Sequence, residues 1–118
     1  KNMHILLADD QRRVRSALRL LLEQEPDCII GGEAADATGL LRTLADQRFD
    51  LVFLDWELPG LPAREILRLL LLGFPGLKII AMSTDPRVEL EALAMGADAF
   101  VSKVAPPVHL LALIHALE

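Results

Sequence analysis

Five short apolar runs, each followed by a longer stretch with helical periodicity, divide this 118-residue chain from end to end. The runs are HILLA (4–8), CIIGGEA (28–34), LVFL (51–54), KIIAM (78–82) and AFVS (99–102). The first helical stretch puts Val14, Leu18, Leu21 and Leu22 on one face, with arginines opposite and Pro26 beyond its end. The second is expected over 37–47, striped by Leu40, Leu41 and Leu44 and capped by Asp36. A third is expected over 63–72, and a fourth over 86–95 that stops at Gly96. The last, 106–117, opens on a proline pair, which a helix tolerates in its first turn. Strands alternating with helices imply a parallel sheet covered on both faces. The near-continuous apolar strands agree, because such strands are buried on both sides. The expected architecture is one doubly wound α/β domain over 1–118, with no repeat, low-complexity tract or linker.

Composition removes several classes of function. A net charge of −5, with only Arg12, Arg13 and Arg15 clustered, offers no basic footprint for nucleic acid or anionic lipid. The densest apolar stretch, ILRLLLLGFPG, is broken by Arg68 and then by Gly and Pro, short of a membrane span. The single cysteine, Cys28, cannot form an internal disulfide and reads as a small buried hydrophobe in a reducing, cytoplasmic protein. His4, His109 and His115 are too dispersed for a metal site.

In an open α/β sheet, chemistry sits at the carboxyl ends of the strands. Here those ends carry Asp9-Asp10, Glu33, Asp55, Ser83-Thr84 and Lys103. Each has an ordinary explanation as a cap or a solvated side chain, but capping does not require them to share one edge. Converging carboxylates repel unless a cation sits among them, and an all-oxygen set suits a hard divalent ion such as Mg²⁺. A carboxylate held there is a competent nucleophile toward phosphorus, and Lys103 and a hydroxyl could neutralise and bind phosphoryl oxygens.

Over essentially its whole length the chain resembles the receiver domain of two-component response regulators. LLADD (6–10), LVFLDWELPG (51–60), KIIAMST (78–84) and GADAFVSK (96–103) carry the likeness. The resemblance implies a flavodoxin-like fold with strand order 2-1-3-4-5. It implies Asp55 as phosphoacceptor, Asp10 as a direct Mg²⁺ ligand, Asp9 acting through water, and the Glu57 backbone carbonyl as a further ligand. Ser83 would be the hydroxyl that moves toward the phosphate, Phe100 the aromatic that follows it, and Lys103 the partner of a phosphate oxygen. It further implies a histidine kinase as phosphate donor, and an output domain or effector outside this chain. The domain itself would not be a free-standing enzyme and would touch neither nucleic acid nor membrane.

Three positions depart from the family pattern. Pro62-Ala63 stands where Asp-Gly is usual, Thr84 where a smaller alanine is common, and Val104 where proline usually follows the lysine. The last departure is familiar in receivers joined to a C-terminal helix-turn-helix domain. Two other readings stay open at this point. One is a degenerate receiver acting as a phosphorylation-independent interaction module. The other is an aspartyl-phosphate phosphohydrolase, for which Glu57 has the spacing of a second acid but companion motifs are missing. Leucine beyond one core-facing stripe in the third and last helices points to a homodimer through the last helix.

Overall fold

The computed structural model describes residues 2–118. Its elements alternate as expected: β1 (Met3–Ala8), α1 (Arg12–Leu22), β2 (Cys28–Ala34), α2 (Ala37–Asp46) and β3 (Leu51–Asp55). They continue with α3 (Ala63–Gly73), β4 (Lys78–Ser83), α4 (Val88–Ala94), β5 (Ala99–Ser102) and α5 (Pro107–Leu117). The strands form one sheet in the order β2-β1-β3-β4-β5, with every pairing parallel. The order reverses direction between β1 and β3, which opens a crevice at their carboxyl ends.

Because side chains alternate across a strand, the sheet sorts its residues into two cores. Leu6, Val52, Leu54, Ile79 and Ala81 pack under α2, α3 and α4, with Leu40, Ile66, Leu67, Leu70 and Ala92 above them. Ile5, Leu7, Phe53, Ile80 and Met82 face the other way, against Leu22 of α1 and Leu110 and Ile114 of α5. Phe53 is the largest side chain wholly removed from solvent, at the centre of β3.

The helix ends follow local chemistry. Asp36 caps α2 by accepting the Gly39 N–H at 2.7 Å. Gly96 adopts φ +114° just past α4, and a Cβ there would come within 2.7 Å of Leu71, so this stop needs glycine twice over. The fourth helix is shorter than the expected 86–95. Arg87 donates its N–H to Asp85 Oδ1 at 3.0 Å and pairs with that carboxylate through its guanidinium, which holds 85–87 in a turn ahead of α4.

Candidate functional site

The register of the sheet brings the strand ends together. Ala8, Leu54, Ala81 and Phe100 form one row across β1, β3, β4 and β5. The following row starts with Asp9 and Asp55, and backbone pairing continues past the strands to hold them. Asp9 N–H donates to the Ala34 carbonyl at 3.0 Å and Trp56 N–H to the Met82 carbonyl at 2.8 Å. Lys103, one residue beyond β5, donates its N–H to the Ser83 carbonyl at 3.0 Å. Backbone pairing thus fixes the neighbours of Asp9, Asp55, Ser83 and Lys103 at this edge.

The acids predicted from the strand ends do converge. One oxygen from each of Asp9, Asp10 and Asp55 lies within 4.8 Å of the others. Asp9 and Asp55 are wholly buried and Asp10 is exposed. Lys103 reaches into the cluster, its Nζ 2.7 Å from Asp9 Oδ2 and 3.0 Å from Asp55 Oδ1. Three carboxylates against one ammonium leave an excess of negative charge in a poorly solvated site.

The carboxylate oxygens are not equivalent. Asp55 Oδ1 accepts the Glu57 N–H at 3.0 Å and faces Lys103. Asp9 Oδ1 accepts the Gln11 N–H at 2.8 Å. Asp9 Oδ2 lacks hydrogen-bond alignment, but it sits at ion-pair distance from the ammonium. Asp55 Oδ2 is buried with no partner at all. Burial pushes the Asp55 carboxyl upward from its ordinary range, against the lowering pull of the Glu57 N–H and Lys103. Burial also works to lower the Lys103 ammonium, but Asp9 and Asp55 together outweigh it and the net shift is upward.

The donor set fits a hard cation: three carboxylates on one edge, a surplus of negative charge and one orphaned buried oxygen. Asp9 Oδ1 is taken by the Gln11 N–H and its Oδ2 faces the Lys103 ammonium, while Asp10 is open to solvent.

Ser83 is wholly buried at the end of β4. Its Oγ accepts the Asp85 N–H at 3.0 Å and donates to Glu57, 3.1 Å from Oε2 and 3.3 Å from Oε1. Phe100 is half-buried against the core beneath α2, α3 and α4, on the opposite face from Lys103, which lines the groove between α1 and α5. Thr84 is exposed. Pro62 is the N-cap of α3 at φ −58°, and its carbonyl accepts the Glu65 and Ile66 N–H groups. The proline thus occupies a helix start that suits it, and the Pro62-Ala63 departure falls there rather than beside Asp55.

Two features had no clear signal in the sequence. Trp56 turns its indole Nε1 toward Glu91 of α4 at 3.3 Å, and Glu91 also pairs with Arg64 of α3 at 3.7 Å. Glu33, which had no match among the strand-end residues, is held by Arg15 and Arg19 at 2.7 Å each. Arg15 also donates to the Asp9 carbonyl at 2.7 Å, so α1 braces the acidic turn from behind.

Residues 5–115 match the family model described as the response regulator receiver domain. The chain is 36% identical over 104 residues to protein-glutamate methylesterase/protein-glutamine glutaminase 1 of Myxococcus xanthus, covering 87% of this chain and 30% of that protein. It is 31% identical over 111 residues to the uncharacterized transcriptional regulatory protein YhcZ of Bacillus subtilis, covering 92% and 52% respectively. Among solved structures, the isolated receiver domain of RcsB from Salmonella enterica serovar Typhimurium with phosphomimetic BeF3⁻ superposes with a TM-score of 0.92 at 28% identity, covering 99% of this chain and 88% of that one. RcsB bound to promoter rprA gives a TM-score of 0.92 at 27% identity, covering 99% and 60%. The chain thus spans about a third to a half of the curated relatives it matches.

Proposed function

The chain belongs to the response regulator receiver domain family, and on that premise we propose that it is a switch set by phosphorylation of Asp55. Receivers of this family serve phosphorylation-dependent signalling. The observation that carries the assignment is the divided carboxylate of Asp55. Oδ1 is anchored by the Glu57 N–H and Lys103, while Oδ2 is buried without a hydrogen-bond partner. A carboxylate fixed through one oxygen keeps the other uncommitted and held in a defined direction for bond formation.

In the proposed reaction Asp55 Oδ2 attacks the phosphorus of a phosphohistidine on a partner histidine kinase. The new O–P bond forms as the P–N bond breaks, and the leaving electron pair and a proton end on the imidazole. Asp10, Asp55 and the Glu57 carbonyl would hold Mg²⁺, with Asp9 acting through water. The bound cation would offset the negative charge that gathers on the phosphoryl oxygens. Lys103 lies close enough to Asp55 to pair with one of those oxygens. Ser83 is the hydroxyl available to another, and Phe100 lies on the core face that would respond to its movement. The new charge would then alter the surface formed by α4 and β5.

The unit over 1–118 would act on an output domain or effector outside it. The likeness to RcsB, a structure of which is bound to a promoter, favours a DNA-binding output over the methylesterase of the Myxococcus relative. Association into a homodimer through α5 belongs to the same reading, supported by Val108, which remains 64% exposed on that helix.

Incubation with acetyl phosphate and Mg²⁺ tests the assignment by intact mass. The expected result is one added phosphoryl group that is absent with EDTA and absent in Asp55→Asn. An unmodified wild-type protein, or equal modification of the variant, would overturn it. Association is read separately, as a rise in molar mass when beryllofluoride and Mg²⁺ are added.

A further inference from the structure

We propose that the Glu57 side chain is a latch on the switch hydroxyl, holding Ser83 back from Asp55 until a phosphoryl group competes for it. The inference rests on the phosphorylation reading above and concerns how that site is regulated. A serine hydroxyl has one proton to donate. In this structure that proton is directed at the Glu57 carboxylate, 3.1 Å from Oε2 and 3.3 Å from Oε1. The oxygen's acceptor side is taken by the Asp85 N–H at 3.0 Å. Ser83 is thus engaged from both sides although it is wholly buried, while Asp55 Oδ2, two residues before Glu57, has no partner.

The bond from a hydroxyl to an ionised carboxylate is of the charge-assisted kind, stronger than one between neutral groups. A phosphoryl oxygen on Asp55 is also an anionic acceptor, so the two compete for one proton on comparable terms. Glu57 reaches its position cheaply. Its N–H is already pinned to Asp55 Oδ1 at 3.0 Å, which fixes the backbone of the latch to the phosphoacceptor. The side chain itself is on the exposed rim, free to swing to water once the hydroxyl leaves. Residues of the same length without a carboxylate would occupy the site without holding the proton as firmly. Glu57 therefore acts as a positioning residue through Ser83, separately from any metal contact of its backbone.

A double-mutant cycle on beryllofluoride binding in Mg²⁺, read by Trp56 fluorescence and by amide chemical shifts, separates the latch from plain charge repulsion. Glu57→Ala should tighten binding on the order of three- to tenfold in wild type. In the Ser83→Ala background the same substitution should give little or no gain, because there is no hydroxyl to release. An equal gain in both backgrounds would mean that Glu57 acts only through its charge, and the latch would be wrong. A ligand-free measurement supplies the second test, with neither metal nor phosphate present. Side-chain couplings should show one Ser83 rotamer in wild type and averaging in Glu57→Ala; an unchanged single rotamer would also overturn the proposal. Failure of wild type itself to bind beryllofluoride would instead remove the phosphorylation reading on which the latch stands.

Discussion

At the scale of single residues, the site is a balance between Asp55 and Lys103, and the two should respond to substitution in opposite directions. Asp55 is buried beside Asp9, and that burial raises its carboxyl. A folded-state value above the unfolded one means that the ionised form lowers stability at neutral pH, an effect absent below the unfolded value and complete above the folded one. Asp55→Asn removes the charge and keeps the shape, so in EDTA at neutral pH it should unfold at higher urea, with a gain on the order of 1 kcal/mol. Lys103→Ala does the reverse. It leaves two buried carboxylates facing each other, since Lys103 is the ammonium within 3.0 Å of both. A loss of about 3 kcal/mol is expected, partly restored by millimolar Mg²⁺. Equal urea midpoints for wild type and both variants would sink this account of the site.

At the scale of elements, α4 is the shortest helix among the described residues. It is seven residues long and buries only Ala92, while Leu90 is 82% exposed. Its side-chain ties include the Trp56 indole and Arg64, which both meet Glu91. The loop that follows Asp55 is thus joined to α4. Exposed pairs of this kind contribute only about 0.2–1 kcal/mol, so Glu91→Ala should scarcely alter global unfolding. It should shift Trp56 fluorescence and speed amide exchange in α4 alone. Exchange that stays unchanged in α4, or rises equally throughout the sheet, would show that Glu91 does not tether this helix. By contrast the loop from Asp55 is fastened early. Gly60 at φ +111° lets the chain pass against α2, where the Pro59 carbonyl accepts the Ala37 N–H at 2.9 Å.

At the scale of the molecule, the two edges of the sheet do different work. The carboxyl edge gathers like charge, while the amino edge uses a carboxylate as a brace. Asp50 accepts the His4 N–H at 2.8 Å through its side chain, and its own N–H and carbonyl bond to His4 and Lys78. That backbone hydrogen bond from His4 is the largest cause holding the Asp50 carboxyl below its usual range. Its folded-state value is therefore depressed, so the stabilisation exists above the unfolded value and fades as pH falls through the folded one. The stability gap between wild type and Asp50→Asn should be widest near neutral pH and close on acidification. A gap that widens below pH ~4, the unfolded carboxyl range, would contradict this. No helix among the described residues is long and apolar enough to cross a membrane.

Much of this was legible in the residues. Alternating apolar runs and helical stripes forced a parallel α/β sheet, because each strand had to be covered on both faces. Once the strand ends were located, Asp9, Asp10, Asp55, Ser83 and Lys103 had to share one edge. Parity along the strands also separated Phe100 from Lys103, since alternation is a local property of extended backbone. Other features lay beyond sequence reasoning. The Glu57 backbone carbonyl was expected as a metal ligand, but nothing in the sequence signalled that its carboxylate takes the Ser83 hydroxyl. The Trp56–Glu91–Arg64 chain, the brace from Arg15 to Asp9 and the solitary Asp55 Oδ2 were equally hidden. The reason is physical. Periodicity places a residue on a face and at an edge, to within a strand spacing of several ångströms. A hydrogen bond is decided within a few tenths of an ångström, and only the packing of helices on a twisted sheet sets distances that finely.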